Sequence, residues 1–270
     1  MTRRRSERVL ARRMSNVGRT DEGRRPEELI VEEPLEIRLD GTVVATTMRT
    51  PGHDFELAAG LCFTDGLLGD ASIETCRYCG TGSAVETEFN VVSIDTGGKA
   101  PEPTPRLSTT SSSCGICGST QIDELTKRLS PLPTSSPWSI GVLLSSIDRV
   151  RNEQELFERT GGVHAAAAFE RSGAIVVMRE DIGRHNAVDK VIGHLLLESQ
   201  LPATDRALFV SGRASFELVQ KAWAAGFEAM IAVSAPSALA VETATAAGMT
   251  LVGFVRDGGC NVYCGPGVTD

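Results

Sequence analysis

Between Glu33 and Thr47 apolar and polar side chains alternate about the pair Asp40-Gly41, which predicts a β-hairpin because both turn positions tolerate positive φ. A helix is expected next, capped by Asp54, carrying Leu57, Leu61 and Cys62 on one stripe and stopping near Gly66. A strand at Asn90 to Ile94 follows, and then Gly97 to Ser113 becomes rich in Gly, Pro, Ser and Thr, the composition of a loop. Beyond Pro137 the pattern predicts one helix over Leu143 to Arg159, ended by Gly161-Gly162. Two apolar runs, Val163 to Phe169 and Ala174 to Met178, are joined through Ser172-Gly173 as a strand pair. A helix around Ala187 to Leu197 leads into strand Ala207 to Val210, helix Phe216 to Ala225, strand Ala229 to Val233, helix Ser237 to Ala247 and strand Leu251 to Val255. That rhythm predicts an α/β domain, a parallel or mixed sheet flanked by helices, beside a smaller β-rich lobe. The expected division is an Arg-rich tail at 1–27, a β-rich lobe at 28–105, a flexible loop region at 106–136 and an α/β domain at 137–270.

Composition sharpens the picture. With 270 residues and 41% hydrophobic content, one substantial core is affordable, and a fibrous or structureless chain is excluded. No apolar stretch approaches the roughly 20 residues of a membrane-spanning helix. Met1 to Arg25 holds nine arginines against three acids, formally +6, so that with the whole chain at −8 the remainder carries about −14. Such a tail has too few apolar residues to offset ordering entropy and reads as disordered, either a solvated extension or a docking arm. It has no apolar run of the kind a secretory signal needs. The acidic body argues against nucleic-acid binding. Seven cysteines without a signal peptide point to a reducing compartment, the cytoplasm, where thiols do chemistry or bind metal.

In open α/β sheets ligands lie beyond the carboxyl ends of the strands. Here those ends continue as Ser211-Gly212-Arg213, as Ser234-Ala235-Pro236-Ser237 and as Arg256-Asp257-Gly258-Gly259. Small residues with free backbone N–H groups, together with two arginines, favour an anionic, nucleotide-like ligand. A second constellation is Cys114-Gly115-Ile116-Cys117-Gly118, a thiol pair suited to redox exchange, metal binding or sulfur carriage. A thioredoxin-like oxidoreductase is disfavoured, since the preceding loop is long and the following helix short. A zinc site is the stronger rival, because Cys76 and Cys79 supply a second pair, although Arg77 and Tyr78 between them make a poor knuckle. Cys260 and Cys264 read as buried, inert thiols. The block Arg179 to Lys190 concentrates charge at a strand-to-helix junction, where such groups pair with each other or meet a ligand. His164 reads as a satisfied core residue.

Taken together, Met48 to Asp54, Ser113 to Gly118, Thr160 to Ala166, Arg179 to Lys190, Ser211 to Ser215 and Asn261-Val262-Tyr263 resemble the formate dehydrogenase accessory sulfurtransferase family, FdhD, over roughly Glu33 to Pro266. The resemblance implies a sulfurtransferase with a cytidine-deaminase-like fold and a homodimeric state. A cysteine desulfurase would load a persulfide onto Cys114, with Cys117 assisting. The sulfur would pass to a molybdenum or tungsten bis-pterin guanine dinucleotide cofactor destined for formate dehydrogenase. The family's cofactor-binding stretch maps onto Phe254, Val255, Arg256, Asp257, Gly258 and Gly259, beside Ser211, Gly212, Arg213 and Ser234. No resident metal is expected: none of the four histidines is followed two residues later by Glu, and Pro-Cys-x-x-Cys is absent, so zinc-water deamination lacks its ligands. A cofactor-binding chaperone that survives loss of the thiol, and a zinc-binding module, remain as alternatives.

Overall fold

A computed structural model describes residues 3–12, 14, 24–79, 84–85, 87–102, 122, 125–133, 136–256 and 258–269. Strand β1 (Ser6–Arg12) pairs antiparallel with β2 (Arg24–Ile30), so the described part of the tail read as disordered forms a two-stranded ribbon. Its base is held by polar contacts rather than by a core. Arg3 ion-pairs with Glu33 and donates to Asn90 Oδ1 at 2.8 Å, and Arg159 and Ser6 both hold the Glu28 carboxylate.

The predicted hairpin is present as β3 (Glu33–Leu39) and β4 (Thr42–Arg49), with Asp40 and Gly41 both at positive φ. With β5 (Thr75–Tyr78) and β6 (Val91–Asp95) they form a four-stranded sheet in the order β4-β3-β6-β5. Its apolar face, Leu35, Ile37, Leu39, Val92 and Ile94, closes on Leu57, Ala58 and Cys62 of α1 (Asp54–Thr64). Asp54 opens that helix without capping it. The N-cap is His53, and the Asp54 carboxylate instead receives Arg49 Nε at 3.1 Å, Arg49 Nη2 at 2.9 Å, the Gly52 amide and the Tyr78 hydroxyl.

After β7 (Trp138–Ser139), the expected single helix is two: α2 (Ile140–Glu153) and α3 (Glu155–Thr160), broken at Gln154. The cause lies outside both helices. The buried Glu180 carboxylate accepts the amides of Leu156 and Phe157 at 3.0 and 2.9 Å, fixing a new helix start there. β8 (His164–Glu170) and β9 (Ile175–Asp181) form the strand pair, followed by α4 (Arg184–Leu197), β10 (Arg206–Val210), α5 (Phe216–Ala225), β11 (Ala229–Ala232), α6 (Ala238–Ala247), β12 (Thr250–Arg256), β13 (Gly259–Cys264) and β14 (Val268–Thr269). The main sheet runs β13-β12-β11-β10-β8-β9. Only β10, β11 and β12 are mutually parallel, so the sheet is mixed. Helices α4, α5 and α6 cover one face and α2 the other, giving two apolar layers around the sheet. Among the described residues no helix is long and apolar enough to cross a membrane.

The lobes meet where α1 crosses α4 at two glycines. A Cβ on Gly60 would stand 1.9 Å from the Asp189 carbonyl oxygen, and one on Gly193 1.8 Å from that of Glu56. Around this crossing lies a polar seam. Asp181 accepts from Lys190 Nζ at 2.6 Å, the Thr50 amide at 3.1 Å, the Gly183 amide at 2.8 Å and Asn186 Nδ2 at 3.0 Å. Lys190 also donates to the Thr50 carbonyl, and Lys221 joins Asp189 to Thr64. Every oxygen of Asp181 thus has partners, which is what allows a fully buried ion pair to persist.

Candidate functional site

Because β8 is antiparallel to β10 and β9 antiparallel to β8, the start of β8 and the end of β9 lie at the same edge as the carboxyl ends of β10, β11 and β12. His164, the Asp181 to His185 turn, Ser211 to Arg213, Ser234 to Ser237 and Phe254 to Gly259 therefore share one edge of the sheet, although they are scattered over nearly a hundred residues of chain. Asp257 lies outside the described residues, as do Cys114 and Cys117.

The three strand-end loops are stitched to one another. Val233 N–H donates to the Val210 carbonyl, Ser234 to Gly212, Ser237 to Ala214 and Phe254 to Ser234, at 3.0–3.2 Å. Ser211 exchanges bonds with Ala165, its amide donating to the Ala165 carbonyl and its Oγ accepting the Ala165 amide, both at 2.9 Å. This corrects the expectation that the amides of Ser211, Ser234 and Ser237 stand free for phosphate: they extend the sheet instead. Anion binding at this edge falls to side chains. Arg213 and Arg256 are both exposed there, and Arg184, at the first position of α4, is near His164.

Phe254, Val255, Arg256, Gly258 and Gly259 lie at the corner between β12 and β13. Phe254 has φ 53°, a left-handed conformation rarely adopted by a bulky residue, and register slips between Gly253 and Arg256. The Arg256 guanidinium lies 5.7 Å from the Phe254 ring centroid. Val255, included in the ligand-binding stretch on sequence, is fully buried in the sheet core and offers a ligand no surface. Gly258 turns the chain at φ 75°.

Under this edge opens a cleft of about 430 Å³ between α2, α3 and the sheet, lined by Ile147, Phe157, Gly162, His164, Phe209 and Ser211. Sequence reading missed it, because Ile147 and Phe209 carry no signal beyond core periodicity, and it took His164 for a core residue. The Thr160 to Ala166 block was the available hint. His164 is half-buried, and burial, followed by the nearby Arg184 and His185, pulls its pKa below the usual value, leaving a neutral imidazole at the cleft at pH 7.

Four of the five thiols within the described residues are poorly disposed to react. Cys62 is fully buried with its pKa driven upward, and burial raises Cys76 to about 11. Burial also raises Cys260 and Cys264, the latter donating to the Met249 carbonyl. Among the described residues no group of three or more His, Cys, Asp or Glu side chains is arranged to hold a metal ion.

Comparison with known proteins places this geometry. A family model described as FdhD/NarQ matches residues 30–269. The chain belongs to the FdhD/NarQ family. It is 47% identical to a Corynebacterium efficiens protein named sulfur carrier protein FdhD, over 89% of this chain and 90% of that one. A Mycobacterium tuberculosis protein of the same name is 47% identical over 88% of this chain and 90% of its own length. The crystal structure assigned as a formate dehydrogenase accessory protein from Desulfotalea psychrophila superposes with a TM-score of 0.77, covering 97% of this chain and 98% of that one at 24% identity. That likeness extends the FdhD/NarQ fold over the whole described sheet and lobe. The family match begins at residue 30, so the β1–β2 ribbon lies almost entirely outside it.

Proposed function

We propose that this chain is a sulfurtransferase that receives persulfide sulfur on Cys114 from a cysteine desulfurase. It delivers that sulfur to a molybdenum or tungsten bis-pterin guanine dinucleotide cofactor bound at the carboxyl edge of β10, β11 and β12, for use by formate dehydrogenase. The observation that carries the reading is the convergence of Arg213, Arg256 and the strained Phe254 corner on one edge, in a chain whose curated relatives are named sulfur carriers. The raised pKa values of Cys62, Cys76, Cys260 and Cys264 support it by disfavouring those four as the reacting thiolate.

In the loading step the Cys114 thiolate attacks the terminal sulfur of the donor persulfide. The donor S–S bond breaks, the donor leaves as thiolate, and Cys114 carries the new S–S bond. Release follows when the Cys117 thiol attacks Cys114 at its inner sulfur. A Cys114–Cys117 disulfide forms, the carried sulfur departs reduced to sulfide, and a cellular dithiol restores the pair. The cargo's diphosphates would meet guanidinium groups, which offer paired donors to phosphate.

Two results are expected. Calorimetric titration with guanosine diphosphate, a stand-in for one end of the cargo, should show Arg213→Ala and Arg256→Ala each weakening binding about tenfold, as loss of one charge-assisted contact implies. Unchanged affinity in both would put the nucleotide elsewhere. Elemental analysis of the purified chain should find far less than one zinc per chain, because a closed thiolate site would lock the reacting sulfur. A dialysis-resistant stoichiometric zinc would favour the metal module over the carrier.

A further inference from the structure

The β1–β2 ribbon has no core of its own, and two-stranded ribbons are marginal in water. Its pairing register sets Arg12 directly opposite Arg24. Like charges so placed repel, and no described carboxylate lies between them. Strand alternation puts Arg12 and Arg24 on the same ribbon face as Ser6, Glu28 and Ile30. At its base that face is turned to the body, whereas its outer positions, Leu10, Arg12, Arg24 and Pro26, are exposed. Glu28 is held by Arg159 of α3, and Ile30 Cγ2 would lie 3.2 Å from a Cβ on Gly162, which lines the cleft. At about 3.3 Å per residue, Arg24 stands about 20 Å along the strand from Ile30. The ribbon is thus rooted in the cleft wall and carries outward from it an exposed guanidinium pair that no described carboxylate neutralises.

A body of about −14 repels a polyanion, so a cargo with two diphosphates meets an unfavourable field wherever its phosphates stand outside the cleft. We propose that the N-terminal ribbon is a phosphate-receiving arm, in which Arg12 and Arg24 take oxyanions of the nucleotide cargo that project beyond the cleft. An anion between the two guanidinium groups removes their mutual repulsion and makes charge-assisted contacts at once. The proposal rests on the nucleotide cargo being bound at the carboxyl edge of β10, β11 and β12, over the cleft. It adds a second phosphate contact suited to a ligand with two nucleotide ends.

The test compares the full chain with its Arg12→Ser/Arg24→Ser double variant, using guanosine diphosphate and diguanosine tetraphosphate as one-ended and two-ended probes at low salt. In the wild type the two-ended probe is expected to bind roughly tenfold more tightly than the one-ended. The double variant should reduce that advantage about three- to tenfold, the range two exposed charge contacts allow, while guanosine diphosphate affinity stays within about twofold. Raising the salt should erase the difference between the proteins. The melting temperature should not fall, since the substitution removes a repulsive pair; a structural role for these arginines would lower it.

An unchanged preference for the two-ended probe in the double variant would overturn the arm. If Arg213→Ala lowers guanosine diphosphate affinity in that same outcome, only the arm fails; if neither probe binds the wild type, the strand-edge nucleotide site and the arm fall together. Binding of a DNA duplex more tightly than the two-ended probe, lost in the double variant, would overturn the assignment in favour of nucleic acid.

Discussion

Replacing Cys114 with alanine is expected to abolish sulfur loading and formate dehydrogenase activation while leaving the fold unchanged. Catalysed persulfide exchange needs a thiolate at a defined place, and Cys62, Cys76, Cys260 and Cys264 are poor substitutes, because burial pushes all four pKa values upward. Mass spectrometry after incubation with a cysteine desulfurase and cysteine should find one added sulfur on the wild type and none on Cys114→Ala. Cys117→Ala should still load, since loading involves only the Cys114 thiolate, and should retain its sulfur for longer because the resolving thiol is gone. Normal loading and activation by Cys114→Ala would sink the carrier assignment, and activation without loading would favour a chaperone.

The largest effect on stability is expected at the helix crossing. Gly193→Ala would place a methyl group 1.8 Å from the Glu56 carbonyl oxygen, a contact that only separation of α1 from α4 can relieve. Separation would also stretch the adjoining bonds of Lys221 and Asp189 to Thr64. A loss of about 3 kcal/mol or more is expected, at the upper end of what overpacking costs. For a chain of this size it appears as a fall in melting temperature of roughly 10 °C. Gly141→Ala is the control: it lies in the first turn of α2, where the new methyl group meets only Ser139 Oγ at 3.7 Å, and it should be neutral or slightly stabilising. Equal melting temperatures for Gly193→Ala and the wild type would mean that the crossing is less rigid than drawn.

What was legible in the sequence is what depends on near neighbours. The Asp40-Gly41 hairpin, the α1 stripe, the strand pair through Ser172-Gly173 and the alternation from β10 to β12 follow from local turn chemistry and periodicity. The misses have partners far away in the chain. The helix predicted over Leu143 to Arg159 breaks because Glu180, more than twenty residues on, captures two amides. The ribbon forms because Arg3 reaches Glu33 and Asn90, and Arg159 reaches Glu28. At the site, the arginines at the strand ends were found, whereas the amides beside them were misjudged, since inter-loop bonds carry no sequence signal. The Arg179 to Lys190 block had two open readings, mutual pairing or ligand contact. The Asp181, Asn186 and Lys190 bonds assign those three residues to the first.

The polar seam between the lobes also bears on how the protein comes apart. Detaching the β-rich lobe would leave the buried Asp181–Lys190 and Asp189–Lys221 pairs whole but break their bonds to Thr50 and Thr64 and part Arg179 from Glu56, so opening the seam removes several buried polar contacts at once. Backbone amides on both sides of the seam, such as those of Thr50 and Ile182, should then exchange with solvent only through global unfolding, at one shared free energy. Heat or denaturant should accordingly melt the β-rich lobe and the main sheet in a single transition.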